Sequence, residues 1–327
     1  MKDEEFYPLP FTPIYQYRLW GGRRLENLLT EPLPPGPIGE AWILSDRDDH
    51  ASVVAGGVLK GKTLTSLLKE YPEQLMGEQA GKFGRFPLLL KFLDAKDVLS
   101  VQVHPSDDQK KYIPKGDSGK TEAWIVLETG QKARIYSGLK PGTDADALRE
   151  ALKVNKVDQY IHNFVPAVDD AVFIHSGTVH TLADVVVFEV QENSDTTYRL
   201  YDWDRVDTQT GKPRELQVEK AISCIDFSLI NIGPVKPVEL ERSPVLREEI
   251  FNNEHFILWR IRTASPFPVG AYGTPRILVC AEGDGELWVD DRPYAISRGD
   301  VVLLPAVLGV INCVPKGNLN VFEIAIP

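Results

Sequence analysis

The sequence predicts a mainly β protein, built as two related barrels with a few helical decorations. Three observations carry that expectation. Most apolar segments are short and β-rich, as in AVFIH (171–175), VVVFEVQ (185–191), RILVCAEG (276–283), ELWVD (286–290) and DVVLLP (300–305), each bounded by Gly, Pro, Asp or Asn. Helical periodicity is confined to three short stretches. A local plan also occurs twice: DAVFIHSGTVH (170–180) parallels DVVLLPAVLGV (300–310), and VVFEV (186–190) parallels NVFEI (320–324). Two units with the same order of turn, apolar run and strand indicate an internal repeat.

Taken in order, the first helical stretch is KTLTSLLKEYPEQLMG (62–77), started by Thr63 and interrupted near Pro72. TDADALREALKVN (143–155) takes Thr143 as its N-cap and collects Ala147, Leu148, Ala151 and Leu152 on one face. RELQVEKAISCID (214–226) places Val218, Ala221, Ile222 and Ile225 at helical spacing. Farther on, GDGELWVDDRPYAISRGDVVLLP (283–305) reads as a Gly-flanked hairpin, an Asp-Asp turn, and a strand ended by Pro. That meander resembles a small barrel of the cupin type. The expected architecture is therefore two cupin-like jelly-roll barrels, divided within the Pro-containing stretch NIGPVKPVELERSP (231–244): residues 1–235 with the helical decorations, and 236–327 as a second barrel.

Composition narrows the function. Of 327 residues, 43% are hydrophobic and 25% charged, which sets aside disorder, collagen and coiled coil. The net charge of −11 argues against a nucleic-acid or anionic-membrane partner, although a few local Lys and Arg can still build one cationic pocket. Three widely spaced cysteines give neither a disulfide framework nor a CxxC zinc site. No apolar run approaches the roughly 20 residues that a membrane helix needs, and MKDEEFYPLPF lacks the apolar centre of a signal peptide. A cytoplasmic protein is expected.

Chemistry concentrates in the first two-thirds of the chain. In LSVQVHPSDD (99–108), Ser100, Gln102 and His104 alternate with Leu99, Val101 and Val103, so the polar residues share one face of a strand. A strand with one polar and one apolar face suits the wall of a ligand-holding barrel. Lys120 and Glu122, two residues apart in GKTEAWIVL, enter a second strand, and His180 opens a third. Gln102, His104, Glu122 and His180 make a plausible four-coordinate nitrogen and oxygen site for a divalent metal, zinc before others. His50, His162 and His255 sit in polar, loop-like surroundings and are set aside, and His175 fits a turn near the site. KGDSGKT (115–121) is not a phosphate-binding loop, because Pro114 occupies the position of its first Gly and a strand follows instead of a helix. In VQENSDTTYRLYDWDR (190–205), an extended strand would place Asp195, Thr197, Arg199 and Tyr201 on one face.

At these residues the sequence resembles the type I, zinc-dependent phosphomannose isomerases in their short bacterial form. The motifs are IGEAWILS (38–45), FPLLLKFLDAKDVLSVQVHPSD (86–107), GKTEAW (119–124), SGTVHTL (176–182) and EVQENSDTTYRLYDW (189–203), in family order. The resemblance implies the same four metal ligands, one Zn²⁺ per chain, and an active site containing Lys91, Ser100, Lys120, Glu189, Asp195 and Arg199. It implies interconversion of mannose 6-phosphate and fructose 6-phosphate through a cis-enediolate, with a small phosphosugar as the partner and a monomer or weak homodimer as the working form. Lys91, Lys120 and Arg199 would serve phosphate and enediolate, Asp195 would help open the ring, and Glu189 would be the base. Glu189, however, has a counterpart in Glu323 of the second repeat, which leaves an architectural role open. Two features depart from the longer family members: their helical insertion has no room here, and Gly119 stands where they carry His. An iron cupin oxygenase and a non-catalytic sugar-phosphate binder are the other readings, the first disfavoured by Gln102 among the ligands and the second by the Lys120, Asp195 and Arg199 set. Histidines end at His255, and the positions aligned with His175 and His180 are Pro305 and Val310, so the second barrel is expected to bind no metal.

Overall fold

A computed structural model describes residues 6–207 and 209–327. The spine of the first barrel is the antiparallel pair Glu122–Leu139 and His180–Glu192, with Gln191 opposite Glu122 and Glu189 opposite Trp124. Ala171–Ile174 flanks the spine on one side. Leu88–Ala95 flanks it on the other, with Lys91 opposite Glu189. Val101–Val103 and Tyr198–Tyr201 continue the wall: Gln102 faces His180, and Arg199 faces Gln102.

The repeat read from the sequence is present as a repeat of pairing. In the second barrel, Arg276–Glu282 lies between Val301–Leu304 and Leu319–Ala325, and Leu319–Ala325 pairs in turn with Ile257–Thr263. A second sheet, formed by Phe267–Gly270, Val310–Pro315, Asp284–Val289 and Arg292–Ser297, completes the jelly roll. Registers superimpose: Ile174 faces Glu122 as Leu304 faces Arg276, and Phe188 faces Ile125 as Phe322 faces Val279.

Alternation along these strands divides the labour. Val185, Val187 and Glu189 point into the first barrel, whereas Val186, Phe188 and Val190 join a core shared by both barrels. Likewise Leu319 and Val321 fill the second barrel, whereas Phe322 and Ile324 enter the shared core. The equivalent phenylalanines meet there: Phe188 and Phe322 are fully buried and stacked, with centroids 5.9 Å apart.

One assignment of the linear division at residue 235 changes. Leu9–Pro10 pairs with Val301–Leu304, so a segment from the chain's start closes an edge of the second barrel's sheet. An unpaired edge there would leave a row of backbone donors and acceptors without partners, and the N-terminal strand supplies them.

The helices sit close to their expected places. Leu64–Glu70 is capped by Thr63, whose hydroxyl accepts from Ser66 N, and Pro72–Met76 follows as a separate turn of helix. Ala145–Lys153 is capped by Asp144 rather than Thr143: the Asp144 carboxylate accepts from Ala147 N at 2.8 Å, which a carboxylate one residue nearer the helix does better than the threonine. Val218–Cys224 buries Ala221 and Ile222, with Ile225 as its C-cap. His162 and His50 lie in short strands, not loops.

Because Phe322 is fully buried against Phe188 in the core that joins the barrels, Phe322→Ala should destabilise the protein by about 3–5 kcal/mol. Urea unfolding followed by tryptophan fluorescence measures this. A loss below about 1 kcal/mol would mean that the barrels do not depend on this contact.

Candidate metal centre and active site

His104, Glu122 and His180 converge inside the first barrel, with one ligand atom from each lying within 4.8 Å of the others. All three are buried. The His104 Nδ1–H donates to the carbonyl of Thr196 at 2.9 Å, and the His180 Nδ1–H donates to that of Thr178 at 2.9 Å. Those two backbone acceptors fix both tautomers, so each Nε2 lone pair faces Glu122, at 3.5 Å from His104 and 3.3 Å from His180. The Gln102 amide reaches His180 Nε2 at 3.1 Å, and a half-turn of that amide brings its oxygen to the same point.

The donor set fits a divalent cation. His104 Nε2 and Glu122 Oε1 are buried without a hydrogen-bond partner among the described residues, while Glu122 Oε2 has the Lys120 ammonium at 2.9 Å; the two unpartnered atoms cost free energy unless something electropositive sits between them. Electrostatics agree. Burial, followed by the Lys120 charge, pushes the His104 imidazole down to about 3, which keeps it neutral. Burial likewise lowers His180. Burial alone would raise Glu122, but Lys120 and then His104 outweigh it and hold the carboxyl well below its usual range. Two neutral imidazoles and an ionised carboxylate are the states in which these groups bind metal.

Beside this cluster opens a cavity of about 430 Å³. Every catalytic or substrate-binding residue expected from the sequence lines it: Lys91, Ser100, Lys120, Glu189, Asp195 and Arg199. Lys120 Nζ lies 2.9 Å from Glu122. Ser100 Oγ donates to Gln102 Oε1 at 3.4 Å. Glu189 accepts from Trp124 Nε1 at 2.9 Å and sits 3.2 Å from Lys91 Nζ. Burial, opposed by Lys91, raises the Glu189 carboxyl above its ordinary value.

Tyr201 does not join the cavity. A bulge between Arg199 and Tyr201 breaks the alternation, so the Tyr201 ring turns into the core around Val101 and Leu200. Asp195 and Thr197 precede the strand yet still reach the cavity. His175 forms a turn, its carbonyl accepting from Thr178 N.

Several lining residues escaped the sequence reading, notably Tyr17, Arg18, Glu40, Trp124, Asp207 and Arg214. Glu40 was the most legible of them, a lone carboxylate in the otherwise apolar strand Ile38–Leu44. It accepts from Arg18 Nε at 2.8 Å and Trp42 Nε1 at 2.7 Å, and it lies 4.0 Å from Lys91. A continuous ionic row thus runs Arg18–Glu40–Lys91–Glu189 along the cavity wall.

A model of the type I phosphomannose isomerase catalytic domain matches residues 9–123. The probable mannose-6-phosphate isomerase GmuF of Bacillus subtilis is 34% identical over 93% of this chain and 95% of its own length. The mannose-6-phosphate isomerase of Streptococcus mutans is 32% identical over 88% and 89%. The chain belongs to the type I phosphomannose isomerases. The crystal structure of mannose 6-phosphate isomerase from Bacillus subtilis superposes with a TM-score of 0.90 at 29% identity, covering 98% of this chain and 100% of that one.

Within this family member, Gly119 has a steric cause. A Cβ at that position would lie 2.6 Å from the backbone nitrogen of Asp107, and Gly119 N donates to the Asp107 carboxylate at 2.7 Å. A histidine there would require the Asp107 turn to move. Three of the four metal-ligand positions have a register counterpart in the second barrel. Registers place Gly270 at the position of Gln102, Arg276 at that of Glu122 and Val310 at that of His180. They are not uniformly apolar, because a cation replaces the carboxylate. Arg276 stacks over Trp259, and its Nε lies 3.9 Å from Glu323.

Equilibrium dialysis against Zn²⁺ should give one equivalent for the native protein and less than about 0.1 for His180→Ala. Two equivalents in the native protein would overturn the assignment of a single centre. Glu40 supplies a second expectation. Burial would raise its carboxyl, but Arg18 and then Lys91 hold it at about 2, below its ordinary 4.5. Its contribution to stability is therefore complete above pH 4.5 and lost as pH falls from there toward 2. Between those pH values, Glu40→Gln should show a shallower fall of the urea midpoint than the native protein, and equal slopes would count against the assignment.

Proposed function

We propose that this chain interconverts D-mannose 6-phosphate and D-fructose 6-phosphate, as a zinc-dependent aldose–ketose isomerase. The observation that carries the reading is a buried cluster of metal-ligand atoms beside a cavity lined by a carboxylate of raised pKa and by an Arg that, among the described residues, makes no ion pair. The names of the relatives support the same reaction.

Gln102, His104, Glu122 and His180 would hold the zinc, which when bound would orient the sugar oxygens and disperse negative charge developing on them. Glu189 takes the proton from C2 and returns it to C1. A carboxylate raised by burial is a better base than an exposed one, and Trp124 and Lys91 fix its direction. Lys120, tied to Glu122, lies where the enediolate oxygens would form. Asp195, at the exposed rim, assists ring opening. Ser100 orients the Gln102 amide. The working form is a monomer or weak homodimer in the cytoplasm. No described helix is long and apolar enough to cross a membrane.

Glu323 helps to apportion the role of Glu189. It occupies the same place in the second repeat but is held by Gly270 N at 2.9 Å and Arg247 at 3.2 Å, with no metal ligands beside it. The repeat therefore supplies the buried carboxylate, and the surroundings of Glu189 make it a base.

Conversion of mannose 6-phosphate, coupled through detection of fructose 6-phosphate, should be abolished by a chelator and restored by Zn²⁺. Undiminished turnover by verified metal-free protein would exclude the proposal. Arg199→Ala should lower kcat/KM by about two to three orders of magnitude, a loss of about 3–4 kcal/mol, with zinc content unchanged.

A further inference from the structure

The two imidazoles of the metal cluster are oriented by backbone carbonyls, but those carbonyls are held in different ways. The acceptor for His180 is Thr178, two residues away in the turn that leads into the same strand, where Thr178 N donates to the His175 carbonyl at 3.0 Å. The acceptor for His104 is Thr196, 92 residues away. Thr196 precedes the strand Tyr198–Tyr201, whose pairing with Val101–Val103 begins at Tyr198. The direction of the Thr196 carbonyl is therefore not set by the strand ladder.

What holds it is a carboxylate. Asp117 Oδ2 accepts from the Thr196 hydroxyl at 2.8 Å and from Asp195 N at 3.4 Å. Its Oδ1 accepts from Arg47 Nη1 at 2.9 Å and from Ser118 N at 3.2 Å. Arg47 Nη1 also donates to the Asn193 carbonyl at 2.8 Å, and Ser194 Oγ donates to the Ser118 carbonyl at 2.9 Å. Residues 193–196 are thus stitched to Arg47, Asp117 and Ser118. The Asp117 side chain is only 9% exposed. Burial would raise its carboxyl, but hydrogen bonds from Arg47 and then Thr196 hold it below its ordinary value, so it stays ionised. A hydrogen bond to an ionised acceptor is roughly twice as strong as a neutral one, which makes the Thr196 hydroxyl a firm attachment.

Asp117 is not among the residues that line the substrate cavity. It lines a separate cavity of about 650 Å³ together with Asn193 and, from the second barrel, His255. It belongs to KGDSGKT (115–121), the segment that is not a phosphate-binding loop, and Lys120 and Glu122 lie three and five residues after it. One carboxylate thus joins the segment leading to two site residues with the segment carrying Asp195 and the His104 acceptor.

Resting on the metal-centre reading above, we propose that Asp117 is a positioning residue for the metal ligand His104, acting through the hydroxyl and carbonyl of Thr196. The relay runs Arg47–Asp117–Thr196–His104. Its effect is to keep the His104 Nδ1–H on a fixed acceptor, so that the Nε2 lone pair points at Glu122 before any ion arrives. Without the Asp117 attachment the Thr196 carbonyl can turn away. The imidazole is then free to rotate, or to carry its proton on Nε2, where it cannot ligate. His180 takes its acceptor from its own turn, so loss of Asp117 affects one imidazole and spares the other.

The test compares the native protein with Thr196→Val, Thr196→Ser, Asp117→Asn and the double variant Asp117→Asn/Thr196→Val. Zn²⁺ affinity is read by competition with a chromophoric chelator, and the ring tautomers of His104 and His180 are read in metal-free protein from ¹⁵N–¹H spectra. Thr196→Val and Asp117→Asn should each weaken Zn²⁺ binding by about tenfold, and the double variant by about the same tenfold, because both cut one link. Thr196→Ser keeps the hydroxyl and should stay within about threefold of native. In the metal-free spectra, Thr196→Val and Asp117→Asn should give His104 a share of the Nε2–H form while His180 stays protonated on Nδ1. Thr196→Val leaves the Arg47–Asp117 ion pair intact, so it decides the matter if Asp117→Asn does not fold. Native Zn²⁺ affinity with an unaltered His104 tautomer in Thr196→Val would overturn the relay. So would losses that add to about a hundredfold in the double variant, since the two residues would then act separately. Equal tautomer changes at both histidines would also overturn it, by showing a general loosening. Should the native protein bind no Zn²⁺, the metal-centre reading falls, while the His104 tautomer still decides the positioning role.

Discussion

Side chains on a strand alternate between two faces, and the molecule depends on how His180–Glu192 uses that alternation. Its inward set is His180 and Leu182 before an irregularity at Asp184, and Val185, Val187 and Glu189 after it, and so delivers His180 to the metal cluster and Glu189 to the cavity. Its outward set delivers Phe188 and its neighbours to the core that joins the barrels. A register slip of one residue would exchange these sets, burying the charged groups between the barrels and exposing phenylalanine to the cavity. Pairing on both sides, with Glu122–Leu139 and with Leu88–Ala95, makes such a slip costly. Catalytic geometry and barrel adhesion are therefore specified by the same backbone pairing.

Much of this was legible in the sequence because it depends on local spacing. Ser100, Gln102 and His104 alternate within a few residues, and Lys120 and Glu122 do the same, so strand geometry alone placed them together. The apolar repeat gave the second barrel for a related reason: DAVFI and DVVLL each mark the same flanking strand. What stayed hidden depends on long-range contacts. Arg214 reaches the cavity only because Gln217 clamps its segment beside Arg199, and no spacing rule reports that clamp. Arg18 and Glu40 lie on neighbouring strands and become part of the site through Lys91. Tyr201 was misplaced because a bulge, which has no fixed residue signature, interrupts the alternation. Asp144 displaced Thr143 as a cap for a simpler reason, since either residue can cap and the structure places the nearer one in position.

The two barrels carry different groups at matched registers: the first has a cluster that could hold a metal, and no such cluster occurs among the described residues of the second. The first barrel carries Glu122 facing two imidazoles; the second carries Arg276 at the same register, stacked over Trp259 and directed toward Glu323. A guanidinium cannot be deprotonated in this setting, so it supplies in fixed form a positive charge that in the first barrel a bound cation could supply. The remaining interior, with Leu278, Leu287, Ile296 and Val321, is close-packed and apolar. The second barrel can then act as a rigid backing for the catalytic one.

The pairing of Leu9–Pro10 with Val301–Leu304 has a consequence for the order in which the chain matures on the ribosome. Synthesis proceeds from the N-terminus, and domains generally fold as they emerge. The first strand nevertheless lacks its partner in that sheet until Val301–Leu304 has been made, although Pro10 can already accept from Ala55 N. The apolar face around Phe188 is likewise without its cover until Phe322 has been made. A nascent chain of this design keeps that apolar face bare while residues 189–321 are being made. Residues 301–304 complete the edge of one sheet and Phe322 the cover of the other barrel, so the two joints between the barrels close together and late relative to the first barrel's own strands.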